Sequence, residues 1–298
     1  MRGKPEDQAL ITGKWFLPLR GDNTSKADFG CLLAVCGSAG MSGAACMAVS
    51  SALRCGAGLV ALASVERVIE RAAQSLWEPI FLPLADDGKG FIAQEAAGLL
   101  RGYRRATALL LGCGMGKRPE TAALALEMLR KTELPLVIDA DGLTSFGRDF
   151  PDVSHRKGET VVTPHRGEMA CLTGEAYEKI SESPMWHALN FAKSRGAVTV
   201  LKGSVTAVAS PDGRSFLLNM PNSGLSKGGS GDVLAGCIGS FLAQGVKGYE
   251  AALLGVCVHA EAGKLARLEK GVYGMLPRDI IENIPYAIKN MEEAPHEN

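Results

Sequence analysis

Short runs of consecutive apolar residues alternate with longer stretches of helical periodicity along most of the chain. Residues 31–36, 59–63, 108–111, 136–138, 160–162 and 198–201 are continuous apolar runs, too short for buried helices. They lack the polar alternation of a half-exposed strand, so they read as strands covered on both faces. Between them, residues 43–55, 65–74, 93–100, 119–131 and 184–195 carry helical patterns. This alternation predicts the α/β class, a three-layer α/β/α sandwich around a mostly parallel central sheet. Further on, residues 205–209 and 215–218 flank Pro211-Asp212-Gly213 as a hairpin, and two long helices follow over 230–244 and 249–268. No repeat, low-complexity tract or linker interrupts the pattern. The expected organisation is a peripheral N-terminal segment, residues 1–28, followed by a single domain over 29–298.

The chain has 298 residues, enough to bury a large core without disulfides. With 32 basic and 32 acidic residues it has no formal net charge, which removes the basic footprint of a nucleic-acid binder. Cys31, Cys36, Cys46, Cys55, Cys113, Cys171, Cys237 and Cys257 lie mostly in apolar runs with no C-x-x-C pair, as expected of core thiols in a reducing cytosol. The five histidines show no zinc spacing. The first ten residues hold charges and a proline and no apolar core, so no signal peptide is expected. Residues 29–53 are uncharged and long enough to span a bilayer, but Gly37, Gly40 and Gly43 split them into a strand, a loop and a helix. The expectation is a soluble, cytoplasmic protein with no membrane partner.

The 36 glycines, about 12% of the chain against an average near 7%, imply many tight turns or close approaches of backbone to ligand. Their placement is informative. The first strand runs into Gly37-Ser38-Ala39-Gly40-Met41-Ser42-Gly43, and the 108–111 strand into Gly112-Cys113-Gly114-Met115-Gly116. The 136–138 strand meets Asp139-Ala140-Asp141, and the 160–162 strand meets Thr163-Pro164-His165-Arg166-Gly167-Glu168. The 198–201 strand meets Lys202-Gly203-Ser204-Val205-Thr206. In an open α/β sheet ligands bind beyond the carboxyl ends of the strands, so five such loops predict one site on one rim.

Gly228-Gly229-Ser230-Gly231-Asp232, followed by Val233-Leu234-Ala235-Gly236, is the sharpest signal. Glycines let consecutive amides point one way, and a helix N-terminus adds its positive end, so phosphate is the natural guest. Asp232 falls in the first turn, where an ionised carboxylate can take a proton from an attacking hydroxyl. A plain helix cap by Ser230 or Asp232 needs fewer glycines than this. No Walker A sequence occurs, and Gly37-x-x-Gly40-x-x-Gly43 lacks the start of a dinucleotide fingerprint.

Asp139-Ala-Asp-Gly-Leu143, Thr163-Pro-His-Arg-Gly-Glu168 and the segment from Asn222 to Gly236 together resemble the ribokinase-like NAD(P)H-hydrate dehydratases. The segments 37–45 and 51–60 fit the opening of the same family, and the resemblance runs in order over roughly residues 12–285. In many members this domain follows an epimerase domain; here the chain resembles the stand-alone form. The resemblance implies a ribokinase-like fold and a repair reaction. Water added across the nicotinamide ring of NADH or NADPH is removed in a dehydration driven by ADP or, in some relatives, ATP. A phosphorylated ring hydroxyl leaves readily where hydroxide does not, pushed by the lone pair of the ring nitrogen.

On this reading Asp232 is the general base, and the amides of Gly229, Ser230 and Gly231 form the anion hole. The resemblance places the adenine nucleotide on Lys202, Gly203, Ser204, Val205, Thr206 and Gly231. It places the hydrated dinucleotide on Ala44, Gly116, His165 and Asp232. An exposed lysine opening a hairpin is the plain alternative for Lys202, and packing of a loop is that for His165. Asp139 and Asp141 either orient water around Mg²⁺ or brace loops, and Glu168 either assists the metal or caps a helix, the cap being preferred. Lys227 either neutralises charge at the phosphate loop or faces solvent. The family also implies a homo-oligomer, commonly a tetramer, and a separately encoded epimerase. Two other functions share these features: a small-vitamin kinase of the hydroxyethylthiazole or hydroxymethylpyrimidine type, which would leave a stable phosphorylated product, and a non-catalytic adenylate sensor, which would not need Asp232.

Overall fold

The computed structural model describes residues 17–293. Nine strands form one sheet: β1 (Cys31–Val35), β2 (Leu59–Val65), β3 (Ile80–Leu84), β4 (Ala108–Leu111), β5 (Leu136–Ile138), β6 (Thr160–Val162), β7 (Val198–Leu201), β8 (Thr206–Ala209) and β9 (Ser215–Leu218). Their order is β3-β2-β1-β4-β5-β6-β7-β8-β9. The strands from β3 to β7 run parallel, while β8 and β9 add antiparallel at the end as the expected hairpin. β1, β4, β5 and β6 are buried along their whole length, which is why their sequences show no alternation.

One helical layer consists of Ser42–Arg54, Ser230–Ala243, Gly248–Gly274 and Pro277–Glu293, which pack on one another. The first two approach so closely that a Cβ on Gly236 would run into the Ala48 carbonyl and the Ser51 hydroxyl, so a side chain there is excluded. The other layer includes Pro119–Lys131 and Pro184–Arg195, the latter lying on β7, β8 and β9. Both helices start with proline at the first turn, as the sequence predicted.

Among the differences from the expectation, three concern whole elements or a break within one. β3 was not foreseen; it is an edge strand carrying Pro83, whose missing N–H is tolerated only at such a position. The closing helix Pro277–Glu293 was also missed, because Pro285 lies inside it and interrupts the signal. The helix expected over 249–268 runs from Gly248 to Gly274, with a break at Gly271, where φ is 69°. Of the N-terminal segment, residues 1–16 lie outside the described residues. Arg20 stacks on the Phe29 ring and donates to the Gly56 carbonyl, tethering residues ahead of β1 to the domain. Within the described residues no helix is long and apolar enough to cross a membrane.

The strand order reverses between β1 and β4. β1, β2 and β3 proceed toward one edge, and β4 onward toward the other. Their neighbouring carboxyl ends leave a crevice, the place where open α/β sheets bind ligands.

Candidate functional site

Beyond β5, Asp139 and Asp141 flank Ala140, a non-glycine residue with positive φ (49°). That conformation is costly for an L side chain, and here it sends two neighbouring carboxylates to different partners. Asp141 accepts from the Gly116 amide at 2.9 Å, tying β5 to the β4 loop. Asp139 is almost wholly buried and takes the Lys202 ammonium at 2.6 Å and the Thr163 hydroxyl at 2.7 Å on the same oxygen. Asp141 thus braces a loop, while Asp139 belongs to a charged cluster.

Lys202 leaves β7 and turns inward, so it is not an exposed residue opening a hairpin. Its amide donates to the Pro164 carbonyl at 2.8 Å, and its ammonium lies 3.9 Å from Glu168 as well as against Asp139. Burial opposes its charge, but the carboxylates of Asp139 and Glu168 outweigh that and leave its pKa raised. Glu168 is itself pushed up, mainly by burial, with Lys202 pulling the other way. Glu168 accepts from the His165 amide at 2.7 Å and returns its own amide to His165 Nδ1 at 3.1 Å, which caps the helix Arg166–Thr173. Because Nδ1 accepts an N–H, a neutral His165 carries its proton on Nε2, leaving that nitrogen a donor. His165 thus caps the helix, and its Nε2 lies 3.4 Å from Glu168 Oε1.

Gly228 and Gly229 lead into the helix Ser230–Ala243, with Gly229 at φ 102° as its N-cap. A side chain on Gly229 would be strained by that φ and would strike Met47. Asp232 stands in the first turn, and one ligand atom each of Asp232, Asp139 and Cys113 lie within 4.8 Å of one another. Burial, then the charge of Asp139, pushes Asp232 up to about 6. Ser230 pairs with His259 Nε2 at 3.3 Å, and burial drives His259 down to about 4. At neutral pH the cluster therefore holds an ionised Asp232 above a neutral histidine.

A cavity of about 920 Å³ opens beneath these groups. Lys202, Gly203, Ser204, Thr206, His165, Gly229, Ser230, Gly231 and Asp232 line it, so one wall joins most of the residues expected from sequence. Val205 is absent from that lining. Ala44 and Gly116 lie to one side, Ala44 in the first turn of the helix Ser42–Arg54 and Gly116 in the loop after β4: Ala44 faces Gly114, and Gly116 faces the Phe91 ring and the Ser38 hydroxyl. Cys113, from the same β4 loop, reaches the cluster of Asp139 and Asp232, so Asp232 stands where the β1–β4 crevice meets the larger cavity. Lys227 does neither of the things expected of it: its ammonium donates to the Tyr273 and Met275 carbonyls at 2.7 and 2.6 Å, pinning the turn between the last two helices. Sequence reasoning missed His259, whose only signal was a lone histidine in the long apolar run of the 248–274 helix. It also gave no role to Arg166 and Cys113.

The fit of Mg²⁺ can be tested on the donors. One oxygen each of Asp141 and Glu168 accepts from a backbone amide, and one oxygen of Asp139 is committed to Lys202 and Thr163. The other oxygen of Asp139 meets only the Cys113 thiol, at 3.9 Å, and the carboxylate of Asp232 lies in the same cluster, its pKa raised first by burial and then by the charge of Asp139. Mg²⁺ keeps several waters and is commonly held by one or two carboxylates plus substrate phosphates, so these two groups fit an ion that arrives with a nucleotide.

Strand order and the glycine-rich loop that leads into an acid-bearing helix define a protein of ribokinase-like α/β fold. Within that class, the chain belongs to the NAD(P)H-hydrate dehydratase family, whose profile matches residues 32–286. It is 36% identical over 273 residues to the ADP-dependent (S)-NAD(P)H-hydrate dehydratase of Xanthomonas campestris, covering 90% of this chain and 91% of that protein. It is 35% identical over 291 residues to the bifunctional NAD(P)H-hydrate repair enzyme of Moorella thermoacetica. That match covers 96% of this chain and 55% of the relative, so the chain spans about half the length of such bifunctional proteins. Among solved structures, it resembles the ADP/ATP-dependent NAD(P)H-hydrate dehydratase of Bacillus subtilis co-crystallised with ATP/Mg²⁺. The TM-score is 0.83 at 26% identity, with 96% and 97% of the two chains covered.

Proposed function

We propose that this chain repairs nicotinamide nucleotides by ADP-dependent dehydration of (6S)-NADHX and (6S)-NADPHX. The observation that carries this reading is the position of Asp232, at the first turn behind the glycine loop and between the β1–β4 crevice and the 920 Å³ cavity. A hydrated dinucleotide reaching from Ala44 and Gly116 to His165 brings its ring hydroxyl to Asp232. The nucleotide lies on Lys202, Gly203, Ser204, Thr206 and Gly231 from the other side.

Asp232 takes the proton of the ring hydroxyl as its oxygen attacks the terminal phosphoryl group, and AMP leaves with the bridging oxygen. The amides of Gly229, Ser230 and Gly231 hold the transferred group. The C–O bond then breaks, driven by the ring-nitrogen lone pair, and phosphate departs. Loss of a proton from the neighbouring ring carbon restores the double bond of NADH or NADPH. Mg²⁺, when bound, neutralises the donor phosphates near Asp139 and Asp232. Lys202 holds Asp139 in place, and His165 Nε2 donates to the dinucleotide. With ATP as donor the nucleotide product is ADP.

The same reading makes residues 29–298 one catalytic domain, with 1–28 peripheral. It makes the protein a cytoplasmic homo-oligomer, a tetramer as in its family, working beside a separate epimerase. The test is turnover with hydrated NADH, Mg²⁺ and either ADP or ATP, followed by recovery of the reduced-nicotinamide absorbance. One phosphate released per NADH recovered supports the reaction; a stable phosphorylated product in place of NADH overturns it in favour of a kinase.

A further inference from the structure

Arg166 opens the helix Arg166–Thr173, where the helix dipole disfavours a cation. Among the described residues it has no acidic partner and no side-chain hydrogen bond, and its Nε is shielded from solvent with nothing to donate to. The side chain is half-buried, with Nε on its inner side. A Cβ placed on Gly203 would lie 3.0 Å from Arg166 Nη2 and 3.1 Å from Nε, so the guanidinium rests on the Gly203 backbone, and both residues line the 920 Å³ cavity.

Three cationic side chains line that cavity: Lys202, Lys227 and Arg166. Lys202 is held by Asp139 and Glu168, and Lys227 by two backbone carbonyls. Arg166 alone of the three has its donors unclaimed. A half-buried guanidinium with a shielded, unpartnered N–H is a costly arrangement unless an anion completes it, and its planar fork matches phosphate.

We infer that Arg166 grips the donor nucleotide through the phosphate that is not transferred. This rests on the nucleotide reading of Lys202 to Thr206 given above. The transferred group lies at Gly231, whose Cβ position is 3.2 Å from the Lys202 ammonium. Arg166 touches the next residue along, Gly203, one step from that centre toward Ser204. The wall beyond, with Leu218, Met220, Leu225 and Val256, is apolar and suits a base. The adjacent phosphates of a nucleoside diphosphate then meet Lys202 and Arg166 in succession. As the terminal phosphoryl leaves, charge grows on the phosphate under the guanidinium.

The experiment is calorimetric titration of AMP and of adenosine into the full chain, its Arg166→Gln variant and its Arg166→Lys variant. Arg166→Gln is expected to weaken AMP by about tenfold or more while adenosine affinity stays unchanged, the latter reporting an intact pocket. Arg166→Lys restores part of the loss, since an ammonium supplies charge without the fork. Equal weakening of AMP and adenosine assigns Arg166 to packing and overturns the inference. So does an unchanged AMP affinity accompanied by altered preference between hydrated NADPH and NADH, which assigns it to the substrate's additional phosphate. A native chain that binds neither AMP nor adenosine sinks the nucleotide reading itself, and the Arg166 assignment with it.

Discussion

The Ser230 hydroxyl, at the foot of the glycine-rich loop, meets His259 Nε2 at 3.3 Å inside the protein. The loop is thereby anchored to the 248–274 helix through a histidine whose pKa burial lowers from 6.5 to about 4. In the unfolded chain the same side chain titrates near its ordinary value, so between pH 6.5 and 4 the unfolded state binds a proton that the folded state refuses. Stability from this residue is complete above pH 6.5 and falls as the pH drops, by up to roughly 3 kcal/mol. Denaturant unfolding at pH 7.5 and pH 5 should therefore show a steeper loss in the native sequence than in His259→Leu. Parallel losses in the two proteins would contradict the assignment.

Asp232 works in the opposite sense. Its pKa is raised from 3.8 to about 6, so the folded state resists ionisation and loses stability as the pH climbs through that interval. At pH 7 the ionised group costs up to about 3 kcal/mol, and Asp232→Asn should recover about 1–3 kcal/mol of it. The same change removes the proposed base and should lower kcat by about 10²–10⁴-fold. Activity of the native protein should rise with pH through an apparent pKa near 6. A variant both less stable and fully active would show that Asp232 is a structural cap.

The Lys202–Asp139 pair makes a third expectation. Asp139 is buried and shares one oxygen between Lys202 and Thr163. Lys202→Met strands that charge and should destabilise the protein by about 3–5 kcal/mol. The double variant Lys202→Met/Asp139→Asn should regain much of the loss, since no unpaired charge remains. Chemical denaturation of the two single variants and the double variant reads the coupling, and additive losses would mean that the pair is not a unit.

The sheet was legible where burial made it simple. β4, β5, β6 and β7 have their predicted ends because an uninterrupted apolar run bounded by glycine or polar residues admits few alternatives. β3 and the closing helix escaped because Pro83 and Pro285 each break a local rule that tertiary context overrides, at a sheet edge and within an otherwise amphipathic helix. The rim loops were readable as a group for the same reason as the strands, since each follows directly from one. Pairings across the fold were not readable. Nothing near Asp139 in sequence announces Lys202, 63 residues away, and nothing near Ser230 announces His259 on the next helix. Lys227 was misread because its partners, two main-chain carbonyls near residue 274, carry no sequence signature.

Gly231 allows binding and folding to be separated. It lies within the first turn of the 230–243 helix, and it is not among the glycines with positive φ, so an alanine fits the backbone. A Cβ there would stand 3.2 Å from the Lys202 ammonium and 3.8 Å from Asp139 Oδ2, in the space between the charged cluster and the loop amides. The Lys202 ammonium, held by Asp139, has to give by only a few tenths of an ångström. Alanine is the better helix former by about 1 kcal/mol, which offsets that adjustment, so Gly231→Ala should fold about as stably as the native sequence. Yet the added methyl occupies the position assigned to the transferred phosphoryl group. Nucleotide turnover should fall by about two orders of magnitude or more, as expected when a reacting group is displaced by about an ångström. Thermal unfolding and the hydrate-turnover assay, run on one preparation, decide the matter. Retained stability with lost turnover places the phosphoryl group against Gly231, whereas retained turnover moves it elsewhere along the loop.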